Sequence, residues 1–129
     1  MLTIDHIGYA VKNMQKSIIS FKKLGYSFEP TVEDVDRNIY ITFGSMNGYR
    51  VELIQPISKG SPIDQILAAN GNTPYHICYK TDDFDNDLRT LQGQRFKITV
   101  EPAEAIAFNG KRVVFMYSLS VGLIELVES

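Results

Sequence analysis

The sequence has 129 residues and a formal net charge of −2, and 44% of its residues are hydrophobic and 22% charged. This size and composition predict one soluble globular domain, and the absence of a basic excess argues against binding to nucleic acid. No apolar run approaches the roughly 18 residues that span a bilayer, so we expect no membrane association. A single cysteine cannot form an internal disulfide, which favours a cytoplasmic location.

The first half of the chain has the pattern of a strand, a helix and two further strands. Residues 2–11 alternate between faces, with His6 on one face and Tyr9 on the other, as in a half-buried strand. Apolar residues at helical spacing then follow Asn13, a residue type that caps helices. We expect the elements of this half to be a strand at 2–11, a helix from the Asn13 cap to Gly25, and strands at 38–43 and 49–55.

A structured linker is predicted between the two halves, over residues 57–73. Ser61 is expected to cap a short helix, with Pro62 in its first position and Asp64 completing a capping box. Gly71 is expected to end this helix.

The second half repeats the plan of the first. His76 lies 70 residues after His6, and the closing strands match as "VELI" (51–54) and "IELV" (124–127). Correspondences in the same order indicate an internal repeat of a β-α-β-β(-β) unit. The predicted elements of this half are a helix capped by Asp83 or Asp85 and closed by Gly93, and strands at 112–117 and 122–127. The apolar stripes of the two helices, expected in the core, are Met14, Ile18 and Phe21, and Phe84, Leu88 and Leu91.

Each half supplies a histidine on its first strand and a glutamate on its last: His6 and Glu52, then His76 and Glu125. Burying an unpaired carboxylate costs several kcal/mol, so glutamates flanked by apolar strand residues are normally paired, solvated or bound to a metal. A pseudo-twofold relation between the halves would bring all four side chains around one cavity. Two imidazoles and two carboxylates suit a divalent cation of borderline softness, so we predict a metal site.

Cys78 shares the strand face of His76, and its thiolate would be a strong metal ligand. We interpret it instead as a small buried side chain, the commoner role of a free cysteine. Tyr9, Tyr75 and Tyr79 alternate with the strand histidines and are expected to pack against the helices.

Three stretches carry a family resemblance: "IDHIGYAVKNMQKSIISFKKLGYSF", "VELIQPISKGSPIDQILAANGNTPYHICYKTDD" and "GLIELVE". They resemble the vicinal oxygen chelate superfamily, also called the glyoxalase/bleomycin-resistance/dioxygenase superfamily. The resemblance implies an α+β fold of two tandem βαβββ modules whose curved mixed sheets enclose a central cavity. It divides one domain at 1–129 into modules at about 1–56 and 74–129, with the linker helix at about 57–73. The ligands it implies are His6, Glu52, His76 and Glu125.

Within this superfamily the nearest likeness is to methylmalonyl-CoA epimerases. It implies an isomerase or epimerase in which two substrate oxygens chelate a divalent cation, and the cation stabilises an enediolate. The cation would be nickel, cobalt, zinc, manganese or magnesium. The substrate would be a small molecule, such as an acyl-CoA thioester, and the protein a homodimer. Glu125 is the preferred base and Glu52 the second choice. Tyr40 aligns with a base that some epimerases carry, and could shuttle the proton or orient the substrate.

Three alternatives use the same fold. A glyoxalase I-like lactoylglutathione lyase would share the ligands, but Ala10 and Pro56 stand where that family carries its glutathione-binding arginine and an asparagine. A binding protein of the antibiotic-resistance type generally lacks the four ligands. A ring-cleaving dioxygenase would use two histidines and one glutamate for Fe(II), and would leave Glu52 as an unwanted fourth ligand.

Overall fold

The computed structural model describes residues 2–129 and has the mixed α+β composition that the sequence predicts. In chain order the elements are β1 Leu2–Ala10, α1 Met14–Leu24, β2 Ser27–Phe28, β3 Val32–Asp34, β4 Ile39–Met46, β5 Tyr49–Pro56, α2 Asp64–Asn70, β6 Thr73–Thr81, α3 Phe84–Gly93, β7 Lys97–Glu104, β8 Arg112–Ser118 and β9 Gly122–Glu128. None of the helices in the described part of the chain combines the length and the apolar character needed to cross a membrane.

The chain divides into two compact units. The first, called the His6 unit, comprises His6–Tyr75, and its strands pair in the order β2-β4-β5-β1, with β3 also paired to β4. β1 runs parallel to β5, whereas β4 and β5 form an antiparallel hairpin. Its turn residues Asn47 and Gly48 both have positive φ, as a type I′ turn requires.

The second unit, called the His76 unit, comprises residues 2–5 and His76–Ser129, and its strands pair in the order β6-β9-β8-β7. β6 runs parallel to β9, and the other two pairs are antiparallel. The predicted strands at 112–117 and 122–127 are therefore confirmed to within a residue. The position of β7 was missed, because Glu101 and Pro102 interrupt its apolar alternation and most of its side chains are exposed.

One helix covers one face of the strands in each unit. α1 packs on a cluster that contains Val11, Val51 and Leu53, and α3 packs on one that contains Val114 and Leu126. Each fully buried leucine in these clusters contributes about 2 kcal/mol of apolar burial. All members of the two predicted stripes belong to these clusters, which confirms that the stripes form the core: Met14, Ile18 and Phe21 in α1, and Phe84, Leu88 and Leu91 in α3.

The predicted helix starts are partly wrong. α1 begins as expected, with the Asn13 side chain accepting a hydrogen bond from the Lys16 backbone N–H, 3.0 Å long. α2 begins at Asp64 rather than after Ser61, because the backbone N–H of Asp64 bonds to the Ser61 carbonyl in a tighter turn. The Asp64 carboxylate accepts from the Ser61 N–H, so half of the expected capping box forms. At α3, Asp83 is the N-cap residue but its side chain makes no capping bond.

Arg112 joins the start of α3 to the closing strands. Its guanidinium donates two hydrogen bonds to Asp85 and one to Glu128, and its Cζ lies 4.5 Å from the centre of the Phe84 ring. Hydrogen bonds from Arg112 lower the pKa of both carboxyl groups, and those carboxylates raise the pKa of Arg112. In the second module, this ionic contact at the surface therefore connects the start of α3 to β8 and β9.

The C-terminal ends of α1 and α3 differ at one equivalent position. Gly25, which follows α1 directly, has a left-handed backbone with a φ of 115°, and Arg95, two residues after the end of α3 and equivalent to Gly25 in the repeat, has one with a φ of 71°. A side chain in this region costs about 1 kcal/mol, which glycine avoids. We therefore expect Arg95→Gly to raise the free energy of unfolding by up to about 1 kcal/mol in urea titrations.

The matched control is Gly25→Ala, which should lower the free energy of unfolding by about 1 kcal/mol or more. Its added Cβ would also lie 3.1 Å from the Met46 sulfur. Destabilisation by Arg95→Gly would show that the arginine side chain makes a contribution that outweighs its backbone strain.

Candidate metal centre

The His6 unit holds a buried histidine next to a buried glutamate. β1 and β5 are parallel neighbours, and their register aligns Gly8 with Glu52, so His6 projects from the same face two residues earlier. The His6 Nε2 lies 3.2 Å from the Glu52 Oε1, and the two side chains are 0% and 4% exposed. The parallel pairing of two short strands thus brings together residues 46 positions apart.

The His76 unit repeats this arrangement. β6 and β9 are parallel neighbours, and their register places Cys78 opposite Glu125. His76 lies two residues before Cys78 on β6, so its side chain projects from the same face of the sheet as Glu125. The His76 Nε2 lies 3.2 Å from the Glu125 Oε1, and the two side chains are 0% and 5% exposed. The structure therefore brings each predicted histidine to its predicted glutamate.

An aromatic ring flanks each histidine, a feature that the sequence analysis missed. Phe43 contacts the edge of His6 with ring centroids 5.5 Å apart, and Phe115 contacts His76 at 5.2 Å, both in T-shaped geometry. The strand registers explain this, because Phe43 pairs with Glu52 and Phe115 with Glu125. These contacts restrict the rotation of each imidazole and shield it from water.

The chemistry and spacing of each pair fit a divalent cation. Neighbouring ligands of an octahedral ion, with bonds of about 2.1 Å, lie about 3 Å apart, close to the separation seen in both pairs. Imidazole nitrogen with carboxylate oxygen suits first-row transition ions as well as zinc. All four side chains are buried, and burial protects a bound ion from competition by water.

A comparison with protein families decides where the chain belongs. The family model described as the Glyoxalase/Bleomycin resistance protein/Dioxygenase superfamily matches residues 5–115. The chain belongs to this superfamily. The resemblance that the sequence motifs indicated is thereby confirmed, together with the fold that it implied.

Several epimerases are similar to this superfamily member. The mitochondrial methylmalonyl-CoA epimerase of Dictyostelium discoideum is 30% identical over 129 residues, which cover 97% of this chain and 77% of that protein. The crystal structure of methylmalonyl-CoA epimerase from Mycobacterium tuberculosis has a TM-score of 0.85 at 24% identity, covering 97% of this chain and 86% of that one. A methylmalonyl-CoA epimerase in complex with methylmalonyl-CoA and ammonium also has a TM-score of 0.85, at 24% identity and 98% and 93% coverage.

Tyr40, the third predicted catalytic residue, lies on the other face of the His6 unit. It pairs with Gln55 on β5, three residues after Glu52, so its side chain alternates to the helix side. There it packs against the core that contains Val51 and Leu53. The catalytic role of Tyr40 stays a prediction, and the position of its side chain on the helix side disfavours that role.

Cys78, Arg50 and Lys80 each contact other groups of the protein. Cys78 is 0% exposed and packs with Val113 and Val127, in agreement with its interpretation as a small buried side chain. Arg50 places its Cζ 4.4 Å from the centre of the Phe43 ring. Lys80 is 3.6 Å from the Asp5 carboxylate.

Proposed function

We propose that this protein is a divalent-metal-dependent epimerase that moves a proton at the α-carbon of an acyl-CoA thioester. The observation that carries the proposal is the repeated buried pair of histidine and glutamate, 3.2 Å apart in each unit. The sequence similarity to a methylmalonyl-CoA epimerase supports the reaction class, and the complex of a similar fold with methylmalonyl-CoA supports the substrate class.

We further propose that His6, Glu52, His76 and Glu125 bind one ion together. Two carboxylates would offset the charge of a dication, and these four ligands would leave room on the ion for substrate oxygens. A bound ion would supply a Lewis acid that stabilises the negative charge developing on the thioester oxygen as the α-proton leaves.

The chain's own residues would then perform the proton transfer. Glu125 is the proposed base, because a carboxylate close to the chelated substrate can accept the α-proton and is shielded from water. Glu52, its counterpart in the repeat, is the second choice for the base. The C–H bond that breaks is replaced by a new C–H bond, so the reaction inverts the centre without net change of composition.

Metal stoichiometry tests the proposal that the four ligands share one ion. Chelator-treated protein titrated with cobalt, nickel, zinc, manganese or magnesium should bind one ion per chain, and saturation should raise the melting temperature. An ion at a hundred times its dissociation constant stabilises a protein by about 2.7 kcal/mol. His6→Gln and His76→Gln should each weaken the binding of the same ion by tenfold or more, whereas Glu101→Gln, an exposed carboxylate on β7, should not.

Two ions per chain, each lost in only one histidine variant, would contradict a shared site. The absence of any affinity for the five ions would remove metal dependence altogether, and would favour a binding protein without chemistry.

Proton exchange tests the substrate class. In D2O, the metal-loaded protein should exchange the α-proton of methylmalonyl-CoA faster than that of a hemithioacetal of glutathione, as followed by proton NMR. Exchange restricted to the hemithioacetal would replace the epimerase assignment with a glyoxalase I-like lyase. Exchange of neither compound would overturn the enzyme proposal.

A further inference from the structure

A groove of about 280 Å³ lies between β1 and α1 in the His6 unit, on the strand face opposite to His6. Tyr9 and Phe21 form an aromatic wall, with ring centroids 5.3 Å apart. The polar side chains that line the groove are those of Lys16, Ser17, Ser20 and Asn72. The groove is therefore separate from the His–Glu pair and is not used by the proposed reaction.

The groove presents donors that the protein itself leaves without acceptors. Ser17 is only 8% exposed, yet its hydroxyl makes no hydrogen bond to any other residue in the range 2–129. Lys16 and Ser20 are exposed, and the Lys16 ammonium and the Ser20 hydroxyl likewise make no hydrogen bond to another described residue. Donors that no protein group satisfies are available to an acceptor that enters the groove.

Lys16 is the one charged residue among the described residues that line the groove. The segment from His6 to Phe28 contains four lysines and no aspartate or glutamate. The first turn of α1 has no acidic residue and carries Lys16, although the N-terminal end of a helix is itself positive. In α3, the equivalent helix, the first turn carries Asp85 and Asp87. An anion beside Lys16 would offset the unfavourable charge at the start of α1.

We propose that this groove binds a small aromatic anion, with its phosphate or carboxylate group on Lys16, Ser17 and Ser20. Its ring would contact Tyr9 and Phe21, where apolar surface is available to it. Asn72 is held in place by accepting a hydrogen bond from the Lys12 backbone N–H, 2.9 Å long, and its amide group can donate to the ligand. The groove is thus a second ligand site whose existence does not depend on the proposed function.

Titration of the 15N-labelled full-length protein with three probes tests the proposal. Phenyl phosphate and benzoate carry the two alternative anionic groups on the same ring, and phenol is the neutral control. We expect saturable shifts of the backbone amide signals of Tyr9, Ser17, Ser20 and Asn72 with at least one of the two anions. The anion that binds more tightly identifies the natural group as phosphate or carboxylate.

Charge-matched variants separate this site from general attraction to lysines. Lys16→Met should weaken binding of the preferred anion by about tenfold, since a charge-assisted hydrogen bond is lost. Lys23→Met removes the same charge from the last turn of α1, outside the groove, and should change the affinity less than twofold. Equal weakening by both variants, equal binding of phenol, or no saturable shift with either anion would each overturn the proposal.

Discussion

Replacing Glu125 with glutamine is expected to lower the rate of α-proton exchange by about a thousandfold, because an amide cannot accept the proton. Glutamine has nearly the same size and retains one oxygen as a ligand, so substantial metal binding should persist. The Phe115 contact that holds His76 should also be unaffected. The measurement is exchange of the α-proton of methylmalonyl-CoA in D2O, at matched metal occupancy.

Glu52→Gln is the matched comparison for this result. Glu52 and Glu125 have the same chemistry, similar burial and the same 3.2 Å separation from a histidine. A ligand role alone therefore predicts equal loss in both variants, whereas a base role predicts a much larger loss for one. A larger loss for Glu52→Gln would exchange the two proposed roles. Unchanged exchange in Glu125→Gln would discard Glu125 as the base.

The repeat made the two His–Glu pairs predictable from sequence. A strand alternates its side chains locally, so the faces of His6 and His76 follow from their neighbours, and a spacing of 70 residues relates the two strands. The glutamates follow because "VELI" and "IELV" repeat as closing strands. Each pair then needs only parallel pairing of the first and last strands of its unit, which the structure contains.

Features that depend on strand register were not predictable in the same way. β4 extends to Met46 rather than ending at Phe43, and its register with β5 places Phe43 beside Glu52 and sends Tyr40 to the helix side. A register shift of one residue would reverse both outcomes, and periodicity along one strand carries no information about its partner. The groove on α1 likewise depends on which side chains remain without acceptors, which only tertiary structure reveals.

The close approach of Phe28 to Gly44 leads to the largest stability effect that we expect. β2 pairs with β4 so that Phe28 lies opposite Gly44, and a Cβ at Gly44 would lie 2.4 Å from Cε1 of the Phe28 ring. The ring cannot easily move away, because it packs against Phe21 at a centroid distance of 6.1 Å. Gly44→Ala should therefore lower the free energy of unfolding by about 3 kcal/mol, measured in urea.

Two further variants show whether the ring causes this loss. Gly93→Ala adds the same methyl group at the end of α3, where the new Cβ would meet no other part of the described chain within 4 Å beyond its neighbours and its own helix backbone. This variant should be neutral or stabilise by up to about 1 kcal/mol. With Phe28 replaced by alanine, Gly44→Ala should cost less than about 0.5 kcal/mol, so the double-mutant cycle would show strong coupling. An equal cost of Gly44→Ala with and without the ring would place the strain in the β4 backbone instead. Since β4 also carries Phe43, whose ring contacts His6, a distorted β4 backbone would then be expected to disturb this proposed metal ligand as well.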